Sequence, residues 1–127
     1  MNIALDTNAY SDFLRGNPAS VQVVRSATRI YLPLFVVAEL RAGFSVGKHD
    51  SKNAANLQRF LNTPRVEFLL PDEGTANYYA QLFVLLRKQG TPIPINDLWI
   101  ASLVLQHNLI LCTSDKHFQH IPQLPTC

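Results

Sequence analysis

Apolar and polar positions follow two rhythms along the 127-residue chain. Four short apolar runs read as buried strands: Ile3 to Leu5, Arg29 to Leu32, Val66 to Leu70 and Leu109 to Cys112. The stretches between them carry helical spacing. Asn8 or Ser11 opens a short helix to Leu14, stopped by Gly16-Asn17-Pro18, and Pro18 suits the first turn of a second helix through Val21, Val24 and Ala27. Leu34 to Phe44 places Val36, Val37, Leu40 and Phe44 on one stripe. His49 to Leu61 is amphipathic, with Ala54, Leu57, Phe60 and Leu61 on its apolar side. Asp72 is the expected N-cap of a long helix with Ala76, Tyr79, Leu82, Phe83 and Leu86 inward and Gly90 at its end. Asn96 or Asp97 opens the most apolar helix, Leu98 to Gln106, and a helical turn is expected around Lys116 to His120. Apolar strands alternating with helices predict a single α/β domain over residues 1–127, its small parallel sheet covered by helices on both faces.

Composition narrows this picture. The chain is 47% hydrophobic and 16% charged, a globular balance, and no apolar run reaches the roughly 20 residues of a membrane span. No signal peptide is evident at the N-terminus. The net charge of +2 is a mild pointer to nucleic acid; eight of the eleven cations fall within the first 65 residues, which allows a phosphate-facing edge, although scattered solvated charges are the commoner explanation. Cys112 reads as a small buried hydrophobe and Cys127 as a terminal residue, so no disulfide framework is expected and a reducing cytoplasm is the natural compartment.

Four acids stand out by their place in this map. Asp6 follows the first strand and Asp115 the fourth, so parallel strands carry both to one edge of the sheet, where open α/β sheets bind ligands. Asp97 lies at a helix start, although the sequence leaves open which edge that start approaches. Glu39 is set in the apolar context Phe35-Val36-Val37-Ala38-Glu39-Leu40, where an uncompensated charge is costly. Each has a plainer role available: Asp6 and Asp97 as helix caps, Asp115 as a turn residue, Glu39 solvated beside Arg41. Together they favour a hard divalent cation, because packed carboxylates without one repel and raise one another's pKa. His49, His107, His117 and His120 include one near-spacing, His117 with His120, and form no zinc pattern with the cysteines.

At these residues the sequence resembles the PIN-domain ribonucleases, and among them the VapC-type toxins of bacterial toxin–antitoxin pairs. The resemblance is carried by Leu5-Asp6-Thr7-Asn8, by Ala38-Glu39-Leu40 with Gly43, by Pro94-Ile95-Asn96-Asp97-Leu98-Trp99-Ile100-Ala101, and by Thr113-Ser114-Asp115-Lys116-His117-Phe118 with Ile121. It spans essentially the whole chain, and the order and spacing of four motifs carry it where no single one is specific.

The resemblance implies a PIN-like fold with its acids at one end of the sheet. It implies a catalytic cluster of Asp6, Glu39, Asp97 and Asp115, with Asp6, Asp97 and Asp115 holding Mg²⁺ or Mn²⁺. Thr7 matches the hydroxyl position beside the first acid, and Asn8 an amide that supports the site. The implied reaction is hydrolysis of RNA phosphodiester bonds by a metal-activated water, with Glu39 acting through a water, as a base, or in recruiting a second ion about 4 Å from the first. Arg15, Arg41, Lys48 and Lys116 are cations available to the RNA backbone. The implied partners are a second copy, forming a homodimer, and a cognate VapB-type antitoxin protein; Ala54 to Leu61 and the face around Phe44 are candidate contact surfaces.

Rival readings fit less well. A haloacid-dehalogenase-like phosphatase requires a second Asp two residues after the first, where this chain has Asn8, and a phospho-receiver requires an acid pair that Asn2 and Ile3 do not supply. The alternative of a different class is a non-catalytic PIN-like module acting in a protein or RNA complex, against which the presence of all four acids argues.

Overall fold

In the computed structural model, which describes residues 1–127, the four apolar runs become one sheet. They form β1 (Asn2–Leu5), β2 (Arg29–Pro33), β3 (Val66–Leu69) and β4 (Ile110–Cys112). The order is β3-β2-β1-β4 and every pairing is parallel, with Ile3 opposite Ile30 on one side and Ile110 on the other. Parallel pairing requires a crossover after each strand. These are α1 (Thr7–Leu14) with α2 (Pro18–Ser26), α3 (Leu34–Ser45) with α4 (Asp50–Leu61), and α5 (Glu73–Gln89) with α6 (Ile95–Gln106). The first two crossovers step outward from β1, whereas the third returns past it to β4. Right-handed crossovers therefore put α1 to α4 on one face and α5 and α6 on the other. The strand order thus grows in opposite directions on the two sides of β1, and the crevice at the carboxyl ends of β1 and β4 is the topological switch point.

Most element boundaries lie within a residue or two of expectation, and the departures have local causes. Helix α1 begins at Thr7, because the carboxylate of Asp6 itself accepts the Ala9 amide and caps it. Helix α6 begins at Ile95 behind Pro94, so Asp97 is its third residue and not its cap. Helix α5 is capped as expected: Asp72 and Thr75 form a reciprocal capping box, and Gly90 ends the helix at φ 73°, a left-handed conformation that favours glycine. Its inward stripe runs through Thr75, Leu82 and Leu86, while Ala76 and Phe83 face outward. Thr75 is buried because its hydroxyl meets Gln106 at the end of α6, and the Gln106 amide returns to Asp72. These hydrogen bonds hold the Asp72 carboxyl below its ordinary value.

The core is one cluster of 27 buried residues to which every strand and all six α-helices contribute. Helix α6 is its centre, with Leu98 and Ile100 to Val104 inside. The expected contact surface on α4 is largely spent on this packing: Leu57 is fully buried, and Phe60 sits edge-on to Tyr10 at 5.2 Å. No helix is long and apolar enough to cross a membrane. The Tyr10 hydroxyl is the exception to a well-satisfied interior. It is buried without a hydrogen-bond partner, and burial pushes its pKa up to about 12. Tyr10→Phe removes an unsatisfied donor at almost unchanged shape. It is expected to stabilise the fold by about 1 kcal/mol, seen as a higher urea midpoint with an unchanged slope.

The cysteines depart from the sequence reading. Cys112 and Cys127 are joined, with Cα atoms 4.7 Å apart. The tail lies along the outer side of β4, where Leu111 donates to Pro125 and Cys127 donates back to Leu111, each at 2.9 Å. Backbone pairing thus delivers Cys127 to Cys112, a long-range register that spacing along the chain does not reveal.

Candidate active site

Asp6 leaves the central strand β1 at its carboxyl end, 5% exposed. One carboxylate oxygen accepts the Ala9 amide at 2.8 Å, and the Thr113 hydroxyl just beyond β4 helps to hold the Asp6 pKa down. Asp115 follows two residues later, its amide donating to Thr113 Oγ1 and its carboxylate accepting the His117 amide, both at 2.9 Å. Asp115 thereby caps the 3₁₀ turn Lys116–His120. Asp6 has the capping role that the sequence offered as its plainer reading, and Asp115, read there as a turn residue, caps this short turn. Capping takes one hydrogen bond at one oxygen of each, and lone pairs on both oxygens of each carboxylate remain to bind a further group.

The connection left open by the sequence is settled by α6. Only three residues separate it from β4, with Asn108 at φ 54°, so the helix must run against the strand that it feeds. Its first turn therefore lies at the carboxyl edge of the sheet, with Asp97. Glu39 reaches the same place from α3, where the Thr7 hydroxyl donates to one oxygen at 2.9 Å and the Asn96 amide to the other at 3.2 Å. The two helices are fastened by an aromatic stack: Phe35 lies nearly parallel to Trp99 at 5.5 Å, and Tyr79 of α5 backs Trp99 at 4.2 Å.

All four expected acids thus come to one edge, within electrostatic reach of one another. Burial raises the Asp6 pKa, helped by the charges of Asp115 and Glu39 and opposed by Thr113 and Ala9. Burial also raises Asp97, with Asp115 and Glu39 adding to it and His117 opposing. None of the four pairs with a lysine or arginine; Arg15 is bound to Asp12 and Arg29 to Glu67. The one cationic candidate beside them is His117, which carries charge only when protonated, and raised carboxyls without a permanent counter-charge suit a bound cation. The donor chemistry fits one: a carboxylate oxygen from Asp97, another from Asp115 and a ring nitrogen of His117 all lie within 4.8 Å of one another.

Three participants carried no assigned role in the sequence. Thr113 and His117 were visible as neighbours of Asp115 in one motif, and Asn96 as the neighbour of Asp97. Which of these polar groups turns inward depends on the helix start and the 3₁₀ turn. Asn8, expected to support the site, is exposed on α1, and the amide that holds Glu39 is that of Asn96.

The chain as a whole is similar to known proteins. A PIN domain family profile matches residues 3–124. Ribonuclease VapC1 of Haemophilus influenzae strain R2866 is 33% identical over 125 residues, covering 94% of this chain and 92% of that protein. Among solved structures, VapBC-1 from nontypeable Haemophilus influenzae superposes with a TM-score of 0.88 at 30% identity, covering all of this chain and 97% of the other. VapBC2 from Rickettsia felis, solved bound to a DNA fragment from its promoter, gives 0.86 at 29% identity, covering all of this chain and 98% of the other.

Proposed function

The chain belongs to the PIN domain family, and from that premise we propose that it is a Mg²⁺- or Mn²⁺-dependent endoribonuclease, the toxin of a toxin–antitoxin pair neutralised by a VapB-type antitoxin. The observation that carries this reading is the meeting of Asp6, Glu39, Asp97 and Asp115 at the switch point of a parallel sheet with no lysine or arginine paired to them. The names of its relatives supply the substrate class and the partner class.

In this reading Asp97 and Asp115, with Asp6 beside them, hold the cation. A divalent ion bound there supplies acidity to a coordinated water and offsets charge on the phosphodiester. Glu39 is held at both oxygens by Thr7 and Asn96, which fixes its orientation for positioning a water or accepting its proton. Arg41, Lys48 and Lys116 are exposed and outside any ion pair, free to meet RNA phosphates, whereas Arg15 must first leave Asp12. The same reading includes a cytoplasmic location and a homodimer. In a reducing cytoplasm Cys112 and Cys127 would stand as thiols. Exposed Phe83, Val84 and Ile95 offer apolar surface for the second copy or the antitoxin.

The test is RNA cleavage by purified protein. Cleavage is expected in Mg²⁺ or Mn²⁺, falling to background on chelation and returning when the ion is restored. RNA binding that is indifferent to metal, with no cleavage above background, would instead identify a non-catalytic module.

A further inference from the structure

The donor group at this edge contains a nitrogen that the sequence-based ligand set does not. We propose that His117 is a direct ligand, through Nδ1, of the cation held by Asp97 and Asp115, and that this nitrogen makes the site prefer Mn²⁺ to Mg²⁺. The inference rests on the metal-dependent reading above and adds to it the identity of one ligand and of the ion.

The geometry is specific. Nδ1 of His117 lies 3.1 Å from Asp97 Oδ2 and 3.1 Å from Asp115 Oδ1. An imidazole nitrogen carries at most one hydrogen, so it cannot give both carboxylates a straight hydrogen bond. Two oxygens at equal distance from one nitrogen are instead the spacing of adjacent corners around a single ion. With metal–ligand bonds of about 2.1 Å, neighbouring octahedral donors stand about 3 Å apart. The ring is held there from its own backbone, since the His117 amide donates to Asp115 Oδ1 at 2.9 Å. The side chain is 48% exposed, and no core packing accounts for its position. His120, the other half of the pair seen in the sequence, has a separate role: its carbonyl accepts the Gln89 side chain at 2.9 Å.

The chemistry selects the ion. Mg²⁺ takes oxygen donors and gives up water reluctantly, so it gains little from an imidazole. First-row transition ions accept imidazole readily, and among them Mn²⁺ also suits a carboxylate-rich set.

The experiment needs no RNA. Chelator-stripped full-length protein is titrated calorimetrically with Mn²⁺ and with Mg²⁺, beside His117→Asn, which replaces the ring with an amide. Wild type is expected to bind Mn²⁺ more tightly than Mg²⁺. The variant is expected to lose roughly tenfold or more in Mn²⁺ affinity while its Mg²⁺ affinity changes less. Pulsed electron paramagnetic resonance of the Mn²⁺-loaded wild type should show a directly bound ¹⁴N that His117→Asn lacks. Absence of that coupling in wild type, or an unchanged Mn²⁺/Mg²⁺ preference in the variant, would overturn the proposal. Failure to cleave RNA would leave these binding results standing and would count against the ribonuclease reading alone.

Discussion

Asp6→Asn is expected to lower RNA cleavage by at least about a hundredfold, the upper end of what changes around a metal's ligands cost, while making the metal-free protein more stable. The two effects have one origin. Asp6 is nearly enclosed, and burial together with the charges of Asp115 and Glu39 raises its pKa. An acid raised in the folded state binds its proton more tightly there than in the unfolded chain. Its favourable contribution is therefore complete below the unfolded pKa and is lost as pH rises through the folded value. At neutral pH without metal the carboxylate is a cost. Asparagine retains an oxygen for the Ala9 amide, so the cap survives while the charge goes. In chelator at pH 7 the variant should melt above wild type, and the gap should close as pH falls through the raised Asp6 value. Added Mn²⁺ should stabilise wild type more than the variant. A variant that cleaves at the wild-type rate would remove Asp6 from the site; one that melts lower at pH 7 would show that its charge is already compensated without metal. Asp72 has the opposite sign, since its lowered pKa makes its contribution present above the unfolded value and lost as acid is added. The pH dependence must therefore be read on the difference between the two proteins.

The second large effect lies in the core. Leu103→Ala is expected to cost about 3 to 5 kcal/mol, because Leu103 is fully buried at the middle of the helix that anchors Asp97. Against a total stability of about 5 to 15 kcal/mol for an ordinary domain, that loss should lower the melting temperature by roughly 10 to 20 °C. Leu103→Met nearly conserves volume and should cost less than about 1.5 kcal/mol. If alanine and methionine cost the same, the cavity argument fails and the loss comes from the backbone of α6.

The parts of the fold that were legible in the sequence are those with a local cause. The strands were visible because a parallel sheet buried on both faces leaves no polar alternation, as in Ile3-Ala4-Leu5 and Ile110-Leu111-Cys112. The ends of α5 were visible because Asp72 and Gly90 act on their own backbone. The gathering of the acids was legible only through the topology of the strands and the resemblance to PIN-domain ribonucleases. The rest depends on contacts between distant elements. The inward turn of Thr75 follows from Gln106, which lies 31 residues away. The meeting of Cys112 with Cys127 follows from a tail that pairs with β4. The position of His117 follows from a 3₁₀ turn whose register no apolar period marks.

The placement of β1 between β2 and β4 also has a consequence in time. Asp6 is synthesised well before its neighbours Thr113 and Asp115, which lie just beyond β4. At ordinary elongation rates the interval between making Asp6 and making Asp115 is about 5 to 20 s. Throughout that interval the central strand has one open side and the site lacks a wall. A ribosome can therefore carry most of this chain without carrying an assembled nuclease.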